Sequence, residues 1–406
     1  MTSSTLSRGA ATRALLSLAI GSFGVGMGEF VIMGLLPQVA ADLLPGLEAS
    51  DPDTAIAHAG WLISLYALGV VIGAPTIAGS VAKYPRHRVM LVLAAALTVF
   101  NVVTVIAPTF ELVAASRLLA GLPHGAYFGI GALVASDVLG PGSRAKGAAF
   151  VLTGLTVANI VGVPLGTFLG QQVGWRVAFA IVAGIFAVTT VLILLFVPPH
   201  AGDPARTLRA ELGAFRIAQV WFAIGIGAIG FGGVFAVYSY IAPLVTEVAG
   251  APAWAVPVVL VVMGVGMTVG NLIGGHLADI DLKRTMLSAF AVFIAVEVLL
   301  AVTAAWIVPL GVLLFALGAV SSALAPTVQA RLMSVAGDNQ SIAAALNHSA
   351  LNIGNSLGAF LGGVVIAAGL GFVAPIWVGV VLAAAGLALA LIGYAVESRR
   401  PEAVPA

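Results

Sequence analysis

Gly26-Met27-Gly28-Glu29-Phe30-Val31-Ile32-Met33 lies in the middle of an apolar run, Ala14 to Ala40, that contains no Lys, Arg or Asp. At roughly 1.5 Å per residue, a helix of that length extends about 40 Å and crosses a hydrocarbon core of about 30 Å with tilt. Glu29 then lies deep in the membrane. An ionisable group costs at least ~2.5 kcal/mol there, so it is expected to face a cavity or a partner and to serve an ion or substrate pathway.

The rest of the composition agrees with a membrane setting. Of 406 residues 61% are hydrophobic and 8% charged, with mean hydropathy +1.13, whereas soluble domains average about 25% charged. The chain has no cysteine, which excludes disulfides, thiol catalysis and cysteine-ligated metal. The first run is too long for the apolar core of a signal peptide and no small-x-small cleavage site follows it, so it reads as a retained helix.

Apolar runs recur at about 14–40, 58–82, 88–107, 110–136, 145–170, 175–197, 217–246, 254–278, 284–305, 307–332, 340–368 and 373–396. The fold class is therefore an all-α membrane protein with twelve transmembrane helices. Many gaps are short, so successive helices run antiparallel and no soluble domain fits between them. With the N-terminus inside, all of the 17 Lys and Arg except Arg117 and Arg176 fall on the inner side, and the first outer loop is acidic. Both termini are expected to be cytoplasmic in a multi-pass protein of the cell (inner) membrane.

The longest charged gap, Pro198 to Arg216, divides the runs six and six. Residues 1–200 and 217–406 read as two halves, and 201–216 as a cytoplasmic linker. The halves repeat. Gly69 and Gly73 recur as Gly266 and Gly270 at an offset of 197, Gly79 as Gly275 at 196, and Gly162, Gly166 and Gly170 as Gly354, Gly358 and Gly362 at 192. Near-constant offsets mean a parallel duplication, which in transporters places a substrate site between the repeats near the bilayer midplane.

On these residues the chain resembles the major facilitator superfamily, in particular its twelve-span drug:proton antiporters of the arabinose-efflux-permease-like kind. The loop after the second span in that superfamily reads roughly G-x-L-A-D-R-x-G-R-[KR]. The second half keeps it as Gly275-His276-Leu277-Ala278-Asp279 with Lys283 and Arg284; the first departs, with Gly79-Ser80-Val81-Ala82 followed by Lys83, then Arg86 and Arg88. Arg117 and Gly121 match an Arg/Gly pair of the fourth span. Gly162-Val163-Pro164-Leu165-Gly166 resembles the exporters' fifth-span signature with the proline displaced by one. The resemblance implies two pseudo-symmetric six-helix halves, gating by these loop and glycine/proline residues, and export.

Candidate site residues follow from chemistry and from that resemblance. Glu29 and Arg117, each costly in lipid and expected at similar depth, are the proton-coupling candidates, as an ion pair or through shared water. Met33, His124, Tyr127, Phe128, Phe231, Phe235, Tyr238, Asn347, His348 and Asn352 are the substrate-binding candidates, an apolar lining with a few polar groups that suits a flat or amphiphilic molecule. Glu297 has no cation near it in sequence and is expected to be structural or to snorkel on a lipid-facing helix.

No G-x-x-x-x-G-K-[ST] occurs, so ATP is not handled and a gradient must drive transport. The expectation is a proton-coupled exporter of small apolar or amphiphilic compounds working by alternating access. The polar residues of the eleventh run keep open an exporter of polar metabolites such as sugars or nucleosides. The expected partners are a small-molecule substrate, protons and the lipid bilayer. No enzyme activity, cofactor, metal or nucleic acid is expected, and the protein is expected to be a monomer.

Overall fold

The computed structural model describes residues 7–81, 83–140, 143–199, 217–336 and 340–398. Among these there are twelve helices long and apolar enough to cross a membrane, here numbered as spans 1 to 12: Arg8–Gly34, Pro52–Ile77, Arg86–Ile106, Phe110–Leu139, Lys146–Val173, Trp175–Phe196, Ala218–Tyr238, Ala255–Ile280, Leu282–Thr303, Ile307–Val335, Leu346–Leu370 and Ala374–Ser398. They form two six-helix bundles, spans 1–6 and 7–12. The expected linker 201–216 lies outside the described residues.

Polar caps set several of the boundaries. Asp51 Oδ1 accepts from Thr54 N (3.1 Å) before span 2, Thr109 Oγ1 from Leu112 N (3.4 Å) before span 4, and Asp281 Oδ1 from Arg284 N (3.0 Å) before span 9; each satisfies an otherwise orphaned amide of the first turn. Outward faces carry aliphatic residues such as Val92, Leu194, Leu272, Val308 and Val381, all more than half exposed. In lipid these faces need no further partner.

Glycine sets how closely the helices approach. A Cβ on Gly69 or Gly73 of span 2 would collide with the carbonyls of Leu118 and Leu122 in span 4, and one on Gly266 or Gly270 of span 8 with those of Phe315 and Ala319 in span 10. The duplicated glycines therefore do the same packing in both halves, as small residues do between membrane helices. Gly162, Gly166 and Gly170 lie against Phe23, Met27 and Leu35 of the first helical segments, while Gly354, Gly358 and Gly362 lie against Ala228, Gly232 and Tyr240. Spans 5 and 11 thus pack on spans 1 and 7 in the same register. Gly275 differs from this pattern: a Cβ there would meet nothing within 4 Å, and the close contact, with Ala323, is made by Gly274.

Several spans are interrupted, and three of the breaks bear on the site. The first apolar run is not one helix to Ala40: it ends in a 3-10 turn, Val31–Gly34, and a separate short helix Leu36–Leu43 begins with Pro37 in its first turn, where a missing N–H costs nothing. Span 5 contains a π-helical turn, Ala158–Gly162, that ends two residues before Pro164; proline's ring and absent N–H disturb the turn before it. Span 7 contains a π-helical turn, Ile226–Gly230, followed by Gly232 and Gly233.

The halves meet mainly at the end of the molecule remote from the termini, called here the far end. Ser64 and Ser356 exchange bonds between their hydroxyls and each other's carbonyls (3.2 and 3.0 Å), and Trp61 meets Phe360 edge-on at 5.3 Å. Nearby, a clamp ties short helix Leu36–Leu43 to spans 3 and 6. Asp42 accepts from Trp175 Nε1 (2.9 Å) and pairs with Arg176, which also donates to the carbonyls of Val105 and Ala107 (both 3.1 Å). Burial alone would push the Asp42 carboxyl up, but Trp175 and Arg176 together outweigh it and hold the group below the usual carboxylate range.

Candidate functional site

Glu29 is five positions before the end of span 1 rather than in the middle of a longer helix, because the helix stops at Gly34. It is 7% exposed, and its Oε1 accepts from Asn355 Nδ2 of span 11 at 2.8 Å. This bond crosses the interface between the halves. Asn355 Oδ1 is buried with no donor. The acid of one half is therefore held by an amide of the other, and the amide keeps one acceptor unfilled.

Arg117 is fully buried and, contrary to the pairing expected from depth, makes no direct ion pair with Glu29. All three guanidinium nitrogens lack a hydrogen-bond acceptor. The group instead lies 4.0 Å over the Tyr66 ring and 5.2 Å from that of Phe179, where the ring quadrupoles attract it. Glu29 and Arg117 still act on each other electrostatically.

From Arg117 a line of rings leads across the interface. Tyr66 is 5.6 Å from His124, His124 is 5.4 Å from Phe128, and Phe128 stacks on His348 of span 11 at 5.1 Å and 9°. His124 Nδ1 is buried and unpartnered. A second aromatic group joins the halves beside Glu29: Phe30 stacks with Phe235 at 6.3 Å and contacts Tyr238 at 5.6 Å, and Phe231 meets Phe235 edge-on at 5.6 Å.

Of the sequence-derived binding candidates, His124, Phe128, Phe231, Phe235, Tyr238 and His348 thus cluster at or beside the inter-half surface. Asn347 and Asn352 lie on the same helix as Asn355, buried, each with an unpartnered Oδ1, and Asn352 donates to the His348 carbonyl at 3.0 Å. Met33 is buried in the 3-10 turn after Glu29. Tyr127 has a different role: its hydroxyl donates to the Leu18 carbonyl (3.1 Å), which fixes span 4 to span 1 within one half.

The gating candidates are placed as follows. Arg86 pairs with Asp137 (2.5 Å), joining spans 3 and 4, while Lys83 and Arg88 are exposed, Lys83 at 5.3 Å from the Tyr84 ring. Gly79 is helical, in Trp61–Val81. In the second half the expected acid is displaced. Asp279 is exposed and makes no ion pair among the described residues, and Asp281 caps span 9 and pairs with Arg284 (3.2 Å). Lys283 lies 5.3 Å from the Tyr394 ring. Gly162 ends the π-helical turn of span 5, and Pro164 and Gly166 follow it.

Sequence reasoning passed over Tyr66, Phe30 and the Ser64/Ser356 pair; Asn355 falls with Asn347 and Asn352 on one side of the eleventh run, which suits lining a wet surface or bonding a neighbouring helix, but the sequence does not tie it to Glu29. Phe30 adjoins Glu29 in sequence, and Asn355 shares its helix with two other amides, signals that pointed to the region without giving the partner.

Comparison with known proteins gives three further findings. The profile of the Major Facilitator Superfamily matches residues 18–280 and 258–406. The chain is 37% identical to the inner membrane transport protein YdhP of Escherichia coli (strain K12) over 96% of its length and 97% of that protein, and 29% identical to a chloramphenicol resistance protein of Streptomyces lividans over 92% of its length and 94% of that protein. A crystal structure of a D-xylose-proton symporter superimposes with TM-score 0.75 at 14% identity, covering 94% of this chain and 97% of that one.

Proposed function

This chain belongs to the major facilitator superfamily, and on that premise we propose that it is a proton-coupled exporter of small apolar or amphiphilic compounds, with both termini on the cytoplasmic side. Residues 1–200 and 217–406 rock about the central surface, joined by 201–216. The observation that carries this reading is the Glu29–Asn355 bond: a carboxyl group without a paired cation, buried on the surface that must part when the far end opens.

The chemistry of that bond supplies the coupling. An ionised carboxylate at a dry interface is costly without full compensation, and a single amide bond with a remote arginine compensates it incompletely. The neutral acid is cheaper to bury and brings an O–H, the donor that Asn355 Oδ1 lacks. Protonated Glu29 and Asn355 then form a two-bond acid–amide pair that seals the far end. Loss of the proton leaves a charge that favours separation of the halves and hydration. A proton taken up from outside closes the far end, and its release inside readies the carrier for export, powered by about 2.3 kcal/mol per 100 mV of membrane potential.

The aromatic groups around Phe30, Phe235, Tyr238 and Phe128 support a flat or amphiphilic substrate, as does the similarity to a chloramphenicol resistance protein. The unpartnered amide oxygens of Asn347 and Asn352 favour a second reading, export of polar metabolites such as sugars or nucleosides. Uptake of a chemically broad panel into proteoliposomes under an imposed pH gradient separates the two. Accumulation of amphiphiles that saturates and collapses with the gradient is expected. Transport of polar compounds alone gives the second reading, and gradient-independent flux contradicts proton coupling. In the same assay Glu29→Gln removes uphill accumulation and leaves substrate binding in place.

A further inference from the structure

Glu297 of span 9 is fully buried, which rules out the snorkelling role that the sequence left open beside a structural one, and neither carboxyl oxygen has a hydrogen-bond partner. It points into the C-terminal half where spans 7 and 12 cross glycine to glycine. A Cβ on Gly233 would lie 3.0 Å from Glu297 Oε1 and 2.9 Å from the Gly379 carbonyl, and a Cβ on Gly379 would overlap the carboxyl itself and lie 3.0 Å from the Gly233 carbonyl. The two glycines make the space the acid occupies. The polar atoms that line it are carbonyl oxygens, which accept a hydrogen bond from a protonated carboxyl and repel an ionised one.

Among the described residues no charged group bonds to the acid. Span 7 presents Tyr238, with Tyr240 just beyond its end, span 8 His276 and Asp279, span 10 Arg331, and span 12 Tyr394 and Glu397; on span 9 itself the charged residues are Lys283 and Arg284. Lys283 is on the order of 20 Å away along the helix at about 1.5 Å per residue, and the ionic groups of spans 8, 10 and 12 lie at that same end. Arg331 is engaged there by Glu397 (2.8 Å) and Gln219 (3.1 Å). No group of three metal-ligating residues occurs among the described residues.

The helix in front of Glu297 is also the interrupted one. The π-helical turn Ile226–Gly230 ends three residues before Gly233, and such turns mark places where a helix yields. On the other side of the same segment stand Phe235 and Tyr238, which touch Phe30 beside Glu29.

We propose that Glu297 is a second proton-binding site, in the C-terminal half, which holds a proton when span 7 is packed on spans 9 and 12 and releases it to water when span 7 moves away. The step breaks one O–H bond, leaves a carboxylate, and is reversed by a proton from water. It goes beyond the assignment of Glu29 and stands apart from it, because the two acids belong to different halves and Glu297 faces away from the interface.

Infrared difference spectroscopy of the full-length protein in lipid tests this directly. At neutral pH exposed carboxyls are ionised, so a carboxylic C=O band reports buried acids. In Glu29→Gln a band is expected to remain, to vanish in Glu29→Gln/Glu297→Gln, and to bleach as pH is raised. If Glu297→Gln does not fold, Glu297→Asp in the Glu29→Gln background must shift the band in frequency. No band in Glu29→Gln, a band indifferent to changes at Glu297, or one that never bleaches while the protein stays folded overturns the proposal; in none of these cases is the assignment of Glu29 affected.

Discussion

The two halves carry their buried acids on opposite sides of equivalent helices. Span 1 bears Glu29 on the face that meets the other half, and the space behind it at Gly28 is lined by Asn101 of span 3 and Val182 of span 6. Span 7 bears Val234 at the position equivalent to Glu29, and the space behind it at Gly233 is filled by Glu297 of span 9 beside Gly379 of span 12. The offsets agree with one duplication: Gly28 to Gly233 is 205, Asn101 to Glu297 is 196 and Val182 to Gly379 is 197. Asn101 satisfies itself in part by donating to the Leu97 carbonyl at 2.8 Å, which a carboxylate cannot do. A shared architecture therefore holds a self-bonding amide in one half and a proton-dependent acid in the other.

The largest difference between the halves is expected at the glycines. Gly379→Ala puts a methyl group onto the Glu297 carboxyl and should cost about 1–3 kcal/mol, as overpacking of a filled core does. Gly28→Ala meets Val182 at 3.1 Å and Asn101 at 3.9 Å and should cost less than half as much. Thermal unfolding in detergent measures both, and equal costs would mean that the second space is no more tightly filled than the first.

Arg117→Ala comes next. It removes the cation that makes an ionised Glu29 tolerable, so the pH at which the far end opens should move upward by about one unit. The pH profile of transport reads this, and the C-terminal acid should not feel it, because Glu297 has no such cation. A downward move would mean that Arg117 acts on something other than Glu29.

Smallest is the effect of Asp42. Its carboxyl is held below its unfolded value, so its contribution to stability is present above the usual carboxylate range and is lost as pH falls through the folded value. Asp42→Asn should lower stability at neutral pH by about 1 kcal/mol or less, since the ion pair is partly exposed, and should flatten the acid limb of the stability curve. An unchanged acid limb would remove Asp42 from that role.

The twelve spans, the duplication and the importance of Glu29 are legible in the sequence because lipid imposes long apolar runs and makes every charge within them an exception. The end of span 1 is less so: Leu35 and Leu36 continue the apolar run, and the break rests on Pro37 alone. Arg117 shows its burial but not its partners, since Tyr66 lies on another helix. For Glu297 the sequence left a structural and a snorkelling role open, because a single acid in an apolar run does not say which way it faces. Its duplicate position, Asn101, carries that information, as polar residues at both copies of one site point inward. Asn355 is hidden differently, its contact with Glu29 spanning 326 residues.

The central claim is that the proton on Glu29 decides whether the far end is closed. Spin labels on Gly46→Cys and Ala253→Cys, exposed far-end positions in opposite halves of a chain with no native cysteine, report the separation between halves in lipid as pH is varied. The account predicts a short distance at acid pH, a growing long-distance population as pH rises, and a short distance at every pH in Glu29→Gln. Opening on acidification, or a Glu29→Gln protein that opens with the same pH dependence as the parent, would contradict it.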